Sequence, residues 1–202
     1  MISDEIHEKL RGKKIGFAVC GSFCTFSKAF AQLEALKAAG ADLTPIMSYN
    51  AYSTDTKFGT AESHRKFLED TCGKPIISDI AAAEPIGPKR LFDLLMIAPC
   101  TGNTISKLAL DIIDTPVTMA VKSHIRNERP VLIALSTNDA LSGCARNIGD
   151  LMNRRCFYFV PIRQDDAEKK PRSAAADFTK IPEAAVAALE GRQLQPILML
   201  NV

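Results

Sequence analysis

The sequence predicts an α/β fold, a parallel sheet between two layers of helices, and three observations predict it. First, residues 15–20, 94–97 and 131–135 are unbroken apolar runs. A strand that alternates apolar and polar residues keeps one wet face. These runs do not alternate, so both of their faces are buried, as in a parallel sheet. Second, segments with apolar residues at helical spacing separate the runs, so strand and helix alternate along the chain. Third, the strands end alike, in loops of Ser, Thr, Asn and Gly. In a parallel open sheet all strand C-terminal ends lie on one edge, and ligands bind there.

Each element follows from local composition. Residues 1–13 read as a short polar lead-in, 15–20 as the first strand and Gly21-Ser22-Phe23-Cys24-Thr25 as a turn. Phe30, Leu33 and Leu36 give 27–39 a helical face, and Gly40 stops it. Residues 43–47 form the second strand, where Pro45 suits an edge or a strand start. Ser48-Tyr49-Asn50-Ala51 is a polar loop, 60–71 a helix ended by Gly73, and 75–77 a short strand. Residues 91–98 are the central strand, and Ala98-Pro99-Cys100-Thr101-Gly102-Asn103-Thr104 opens a helical stretch at 105–110. A helix at 116–125 has Pro116 in its first turn. A strand at 131–135, a loop Ser136-Thr137-Asn138-Asp139, a helix at 144–152, a last strand at 157–160 and a closing helix at 182–190 follow. Residues 161–178, polar and proline-containing, are too long for a simple connector and suggest a lid or contact arm. With no repeat or low-complexity segment, the 202 residues are expected to form a single domain, 1–202.

Composition narrows the function. The net charge of +2 gives no argument for nucleic acid or an anionic membrane. No apolar run approaches the ~20 residues that span a bilayer. The charged start Asp4-Glu5-Ile6-His7-Glu8-Lys9 lacks the apolar core of a signal peptide, so a cytoplasmic location is expected. Six cysteines include no CxxC pair, and His7, His64 and His124 are scattered, so no metal site is expected. The thiols read as reduced and mostly buried. No histidine lies near Cys24 or Cys100 in sequence, and no residue is assigned as catalytic.

Four loops fall on the ligand edge: Gly21-Ser22-Phe23, Ser48-Tyr49-Asn50, Cys100-Thr101-Gly102-Asn103-Thr104 and Ser136-Thr137-Asn138. Thr101, Asn103 and Thr104 sit where a helix begins, so unpaired N–H groups and the positive dipole end point beyond the sheet. That suits a phosphate or the edge of a polar heterocycle. None of the loops is rich in Lys or Arg, which suggests a flavin-mononucleotide style of grip more than a nucleoside-triphosphate one. Gly21 stands alone where GxGxxG would be needed, and GxxxxGK[ST] is absent. An ordinary capped helix start explains any single loop; the four together favour a cofactor. Elsewhere, His64 reads as a solvated helix residue, with catalysis as the alternative, and Asp165-Asp166 with Lys169-Lys170 as a solvated loop. Lys122, Arg126 and Arg129 read as a solvated helix face, with a basic patch toward an anionic substrate as the alternative.

These residues carry a family resemblance. Ala98 to Thr104 resembles the PASANT-type motif of the homo-oligomeric flavin-containing Cys decarboxylases, Gly21-Ser22 their first phosphate loop and Ser48 their second-strand serine. Thr44-Pro45-Ile46-Met47-Ser48-Tyr49, Ala83-Glu84-Pro85-Ile86-Gly87-Pro88-Lys89, Arg126-Asn127-Glu128-Arg129-Pro130, Ser136-Thr137-Asn138-Asp139-Ala140-Leu141 and the segment from Leu189 to Pro196 are similar to the dipicolinate synthase B-subunit family. The resemblance implies a flavodoxin-like, Rossmann-like three-layer sandwich and an FMN site. Gly21, Ser22, Phe23 and Ser48 would lie at the phosphate, Thr101, Asn103 and Thr104 at the flavin ring or ribityl chain, and Ser136 and Thr137 would close the site. It further implies an oxidoreductase component of sporulation that works with the dipicolinate synthase A-subunit. The pair would turn a dihydrodipicolinate-level precursor, a dicarboxylate, into dipicolinate, with NADP reaching the site through the A-subunit. A homo-oligomer, a trimer or a multiple of it, is also implied.

One segment departs from the wider family. Where the decarboxylases carry PxMNxxMW, this chain reads Leu135-Ser136-Thr137-Asn138-Asp139-Ala140-Leu141-Ser142, so their substrate clamp is missing. A flavin-dependent decarboxylase and a non-catalytic partner that keeps a flavin-like pocket are the alternatives. The strand-end loops carry no fixed cation for a dicarboxylate, the nearest in sequence being Lys107, Lys122 and Arg126. The A-subunit is therefore expected to supply part of the carboxylate clamp.

Overall fold

Side chains alternate across a strand, and here both sets are buried. Ile15, Phe17 and Val19 enter one core, Ala18 and Cys20 the other. Leu94, Met96 and Ala98 divide from Leu95 and Ile97 in the same way. The computed structural model describes residues 3–199. Its parallel strands are β1 (Lys14–Val19), β2 (Asp42–Met47), β3 (Leu94–Cys100), β4 (Val131–Thr137) and β5 (Phe157–Phe159). Their order, β2-β1-β3-β4-β5, is that of flavodoxin-like sheets, with the topological switch point between β1 and β3. β2 ends the strand path, the edge position that Pro45 tolerates.

Helices cover both faces. α1 (Asp4–Leu10), α2 (Phe26–Ala38), α3 (Tyr49–Ser53) and α4 (Ala61–Cys72) feed the first core through Leu10, Phe30, Ala51 and Leu68. α5 (Ile80–Ala83), α6 (Gly102–Ala109), α7 (Pro116–Ile125) and α8 (Ala145–Met152) feed the second through Ala83, Ile105, Val121 and Ile148. α9 (Ile181–Leu189) returns to the first through Ile181 and Ala185. Among the described residues no helix is long and apolar enough to cross a membrane, and no group of His, Cys, Asp and Glu could hold a metal ion.

Five segments differ from the sequence reading. The polar lead-in contains α1, which Ser3 caps by accepting the Ile6 N–H. The loop at 48–51 is the start of α3. Residues 75–77 supply one isolated bridge, Ile46 to Ile77, rather than a strand. α6 begins at Gly102, three residues earlier than the apolar spacing suggests, because Thr101 accepts the Thr104 N–H as its cap. The fifth difference shapes the site. Residues 161–178 contain a hairpin, β6 (Ile162–Asp166) and β7 (Lys170–Ala176), joined to the sheet. β4 is shared end to end. Its first residues pair with β5, while Ser136 and Thr137 pair antiparallel with Ala175 and Ala174. The buried face of β7 is alanine and serine, which carry little strand signal, so polar neighbours mask the hairpin in the sequence.

Candidate functional site

The loops after β1, β3 and β4 meet at the switch point. Gly21, Ser22, Thr101, Ser136 and Thr137 line a cleft of about 420 Å³ there. Its floor is a knot of hydroxyls. Ser22 Oγ lies 2.8 Å from Ser136 Oγ, and Thr25 Oγ1 lies 3.2 Å from the first and 3.4 Å from the second. Thr25 can give its one proton to the Ser22 carbonyl at 2.8 Å. The two serines share one hydrogen bond, which leaves a hydroxyl proton for a ligand. The first turn of α6 adds N–H groups that lack intrahelical acceptors, at the positive end of its dipole. Neutral donors aimed into one small space suit a phosphate.

Four residues expected in the site do not line this cleft. Thr104 is buried and ties α6 to β1, with its hydroxyl 3.1 Å from Thr101 Oγ1 and 3.3 Å from Cys20 Sγ. Ser48 is buried and caps α3 by accepting the Ala51 N–H at 3.3 Å. Phe23 packs its ring 5.1 Å from that of Phe26. Asn103 is exposed in the first turn of α6, and its side chain makes no hydrogen bond among the described residues.

The structure also brings in groups that sequence reasoning missed. Lys28, in the first turn of α2, and Lys170, Asp165 and Ser173, on the hairpin, line the same cleft. Lys28 left only a local signal, its place three residues after Thr25 at the start of α2; that α2 turns this end to the cleft is decided by packing. The hairpin residues left none, because their place depends on an antiparallel pairing about forty residues distant in sequence. Asp165 and Lys170 are no loose solvated pair. Lys170 donates to Asp165 at 2.8 Å, and with Lys28 it holds that carboxyl below its ordinary range.

Other expectations change with burial. His64 is not solvated: it is buried, its ring centroid 4.9 Å from that of Phe26 and 5.7 Å from that of Phe30. Its Nε2 has no partner among the described residues, and burial lowers its pKa. Arg129 is spent on the Phe92 carbonyl and on Asp93, and Lys107 on Asp114. Cys100 is buried and pushed well above the ordinary thiol range, chiefly by burial. Cys20, Cys72 and Cys144 are buried too, while Cys24 is exposed at the cleft. A separate 310 Å³ pocket, lined by Leu108, Val121, Ile125 and Phe157, lies at the opposite end of β5 and carries no hydroxyl knot.

A family model described as Flavoprotein matches residues 3–186. The chain belongs to the flavoprotein family. The dipicolinate synthase B-subunit of Bacillus subtilis (strain 168) is 45% identical to it over 192 residues, 95% of this chain and 96% of that one. A crystal structure of the dipicolinate synthase B-subunit from Bacillus halodurans C superposes with a TM-score of 0.88 at 40% identity, over 96% of this chain and 99% of that one. The FMN-dependent cysteine decarboxylase SpaF shares the fold, with a TM-score of 0.63 at 21% identity over 89% of this chain and 98% of its own. Within this flavoprotein, two segments similar to the B-subunit family meet across the α7 side of the sheet. Asn127 donates to the Gly87 carbonyl at 2.7 Å, and the Gly87 N–H donates to Ser123 Oγ at 2.8 Å.

Proposed function

We propose that this flavoprotein is the B-subunit of a dipicolinate synthase. It would act with the A-subunit in sporulation to convert a dihydrodipicolinate-level dicarboxylate into dipicolinate. Relatives whose names carry that activity support the reading. The observation that carries the cofactor part is the Ser22–Thr25–Ser136 hydroxyl knot facing the α6 terminus. These groups fit FMN: the knot and the α6 N–H groups would hold its phosphate, and Thr101 and Thr137 would lie along its ribityl chain. FMN, when bound, supplies a hydride acceptor for removal of two hydrogens from the ring precursor. The chain itself binds, orients and excludes water. NADP would reach the reaction through the A-subunit. A trimer or a multiple of it, with the β6–β7 hairpin reaching a neighbour, belongs to the same reading; nucleic acid and membrane do not.

Titration with FMN is expected to quench flavin fluorescence with micromolar or better affinity and to raise the melting temperature by linkage. Asn103 is next to Gly102, which lines the cleft, and its exposed amide would meet the part of FMN that extends past it; Asn103→Leu removes that amide with no structural bond to lose, so the fold should survive. Flavin affinity should fall by about one to two orders of magnitude, the equivalent of ~1.5–3 kcal/mol. No response to saturating FMN would remove the cofactor from the proposal, and an unchanged affinity in the variant would remove Asn103 from the site.

Turnover is expected to need the A-subunit. The chain has no GxGxxG loop to hold a nicotinamide cofactor. The second reason offered by the sequence, a lack of fixed cations, does not survive, because Lys28 and Lys170 line the cleft. The isolated chain with FMN and NADP should show no ultraviolet signal of dipicolinate, and the mixture with the A-subunit should show one. Equal rates with and without that partner would defeat the idea.

A further inference from the structure

The cleft continues into a second groove. Lys28, Asp165, Ala175 and Phe178 line both the cleft of about 420 Å³ and a neighbouring groove of about 630 Å³. Each is of the size that holds a small molecule, about 300–1,000 Å³. The hydroxyl knot and the α6 terminus lie on the cleft side, so a cofactor there leaves the groove side open for a second ligand.

Charge at this junction is unbalanced. Lys28, Lys170 and Arg163 face Asp165 and Asp177 across the two spaces. Arg163 is paired with Asp177 and is not available. Lys170 bonds Asp165 at 2.8 Å with its side chain still 57% exposed. Lys28 makes no ion pair or hydrogen bond among the described residues. The two lysines come from unrelated elements, α2 and β7, yet both act on one carboxylate: each favours the charged form of Asp165 and lowers its pKa. Asp165 therefore marks a place that already receives a carboxylate. Neither lysine is needed by the fold, since one is unpaired and an exposed pair such as the other's contributes only ~0–1 kcal/mol.

We propose that Lys28 and Lys170, with Asp165 between them, receive the carboxylates of a small dicarboxylate at the junction of cleft and groove. This rests on the reading of the cleft as a flavin site. Ammonium groups on flexible stems can follow a planar ligand with two carboxylates. Asp165 competes with the ligand for both lysines and so sets its affinity.

The test uses the full chain loaded with FMN and pyridine-2,6-dicarboxylate as probe, by calorimetry, with inorganic phosphate as the second anion. Lys28→Gln and Lys170→Gln should each weaken the dicarboxylate at least tenfold, and by a much larger factor than any loss of FMN affinity. Asp165→Asn should tighten the dicarboxylate severalfold. If either glutamine variant loses FMN and dicarboxylate in parallel, or if phosphate binds at the same lysines as tightly as the dicarboxylate, they serve a phosphate and the proposal falls. It also falls if the wild-type holoprotein binds no dicarboxylate at millimolar concentration, a result that leaves the flavin site standing. Failure of the wild type to take up FMN would overturn the flavin reading and this proposal together.

Discussion

Gly102→Ala is expected to cost the chain its flavin affinity, by about two orders of magnitude, the equivalent of ~2.7 kcal/mol. Gly102 is the first residue of α6, and it is buried against the loop after β4. A Cβ there would stand 2.6 Å from Thr137 Oγ1 and 2.8 Å from both Asp139 Oδ1 and Cys144 Sγ. The three atoms are tied to one another and to α6: Thr137 Oγ1 donates to Asp139 Oδ1 at 2.5 Å, and Cys144 Sγ lies 3.8 Å from Ser106 Oγ. The methyl must therefore part α6 from the β4 loop, and with it Thr101 from Thr137, which line the cleft together. Overpacking of this kind also lowers stability by about 1–3 kcal/mol. Gly149→Ala in α8 is the control: nothing lies within 4 Å of a Cβ there. That variant should bind flavin normally and gain a few tenths to about 1 kcal/mol of stability from the stiffer unfolded chain. Normal flavin affinity in Gly102→Ala, measured by fluorescence titration, would show that the two loops do not form one site.

Gly87→Ala should cost more stability than Gly102→Ala. Its Cβ would stand 2.0 Å from the Ser123 carbonyl oxygen and 2.8 Å from the Ser123 carbonyl carbon. Those are backbone atoms inside α7, so relief requires moving a helix. The movement also strains a buried network: Gly87 N–H to Ser123 Oγ at 2.8 Å, Asn127 to the Gly87 carbonyl at 2.7 Å, and Ser123 Oγ to the Glu84 carbonyl at 2.6 Å. Overpacking plus the loss of one or two such bonds comes to about 3–5 kcal/mol. For a chain of this size each kcal/mol shifts Tm by about 2–4 °C, so a fall on the order of 10–15 °C is expected. Thermal denaturation followed by circular dichroism measures it. A Tm within a degree or two of wild type would mean that the 84–87 turn moves off α7 at no cost.

The legible and illegible parts of the site divide by the distance over which each is specified. Ser22, Thr101 and Ser136 lie at the C-terminal ends of strands whose apolar runs are plain in the sequence, and parallel pairing brings those ends together. Gly21, Thr101 and Thr137 accordingly line the cleft. Thr104 and Ser48 share the same motifs, but their hydroxyls turn inward to bond the chain itself. A motif gives residue types and spacing; it does not say whether a hydroxyl faces a ligand or a neighbouring helix. The hairpin escapes sequence reasoning because its buried positions, Ser173, Ala174 and Ala176, lack the β-branched pattern that announces a strand. His64 escapes it because its burial comes from Phe26 and Phe30, on another helix.

By itself the sequence determined the α/β class, a parallel sheet between two layers of helices, the edge of the sheet at which a ligand would sit and most of the polar loops that meet there. Those are properties of short segments: an apolar run with no alternation, a helix start, a strand-end turn. Only the tertiary structure decided how the site is closed and charged. The return of the hairpin onto β4 carries Asp165 and Lys170 to the cleft, and the packing of α2 adds Lys28. Pairing between segments far apart in the chain depends on which backbone edges remain free once the parallel strands have formed. Local composition does not encode that, so a site that looked free of cations in the sequence holds two lysines in the fold.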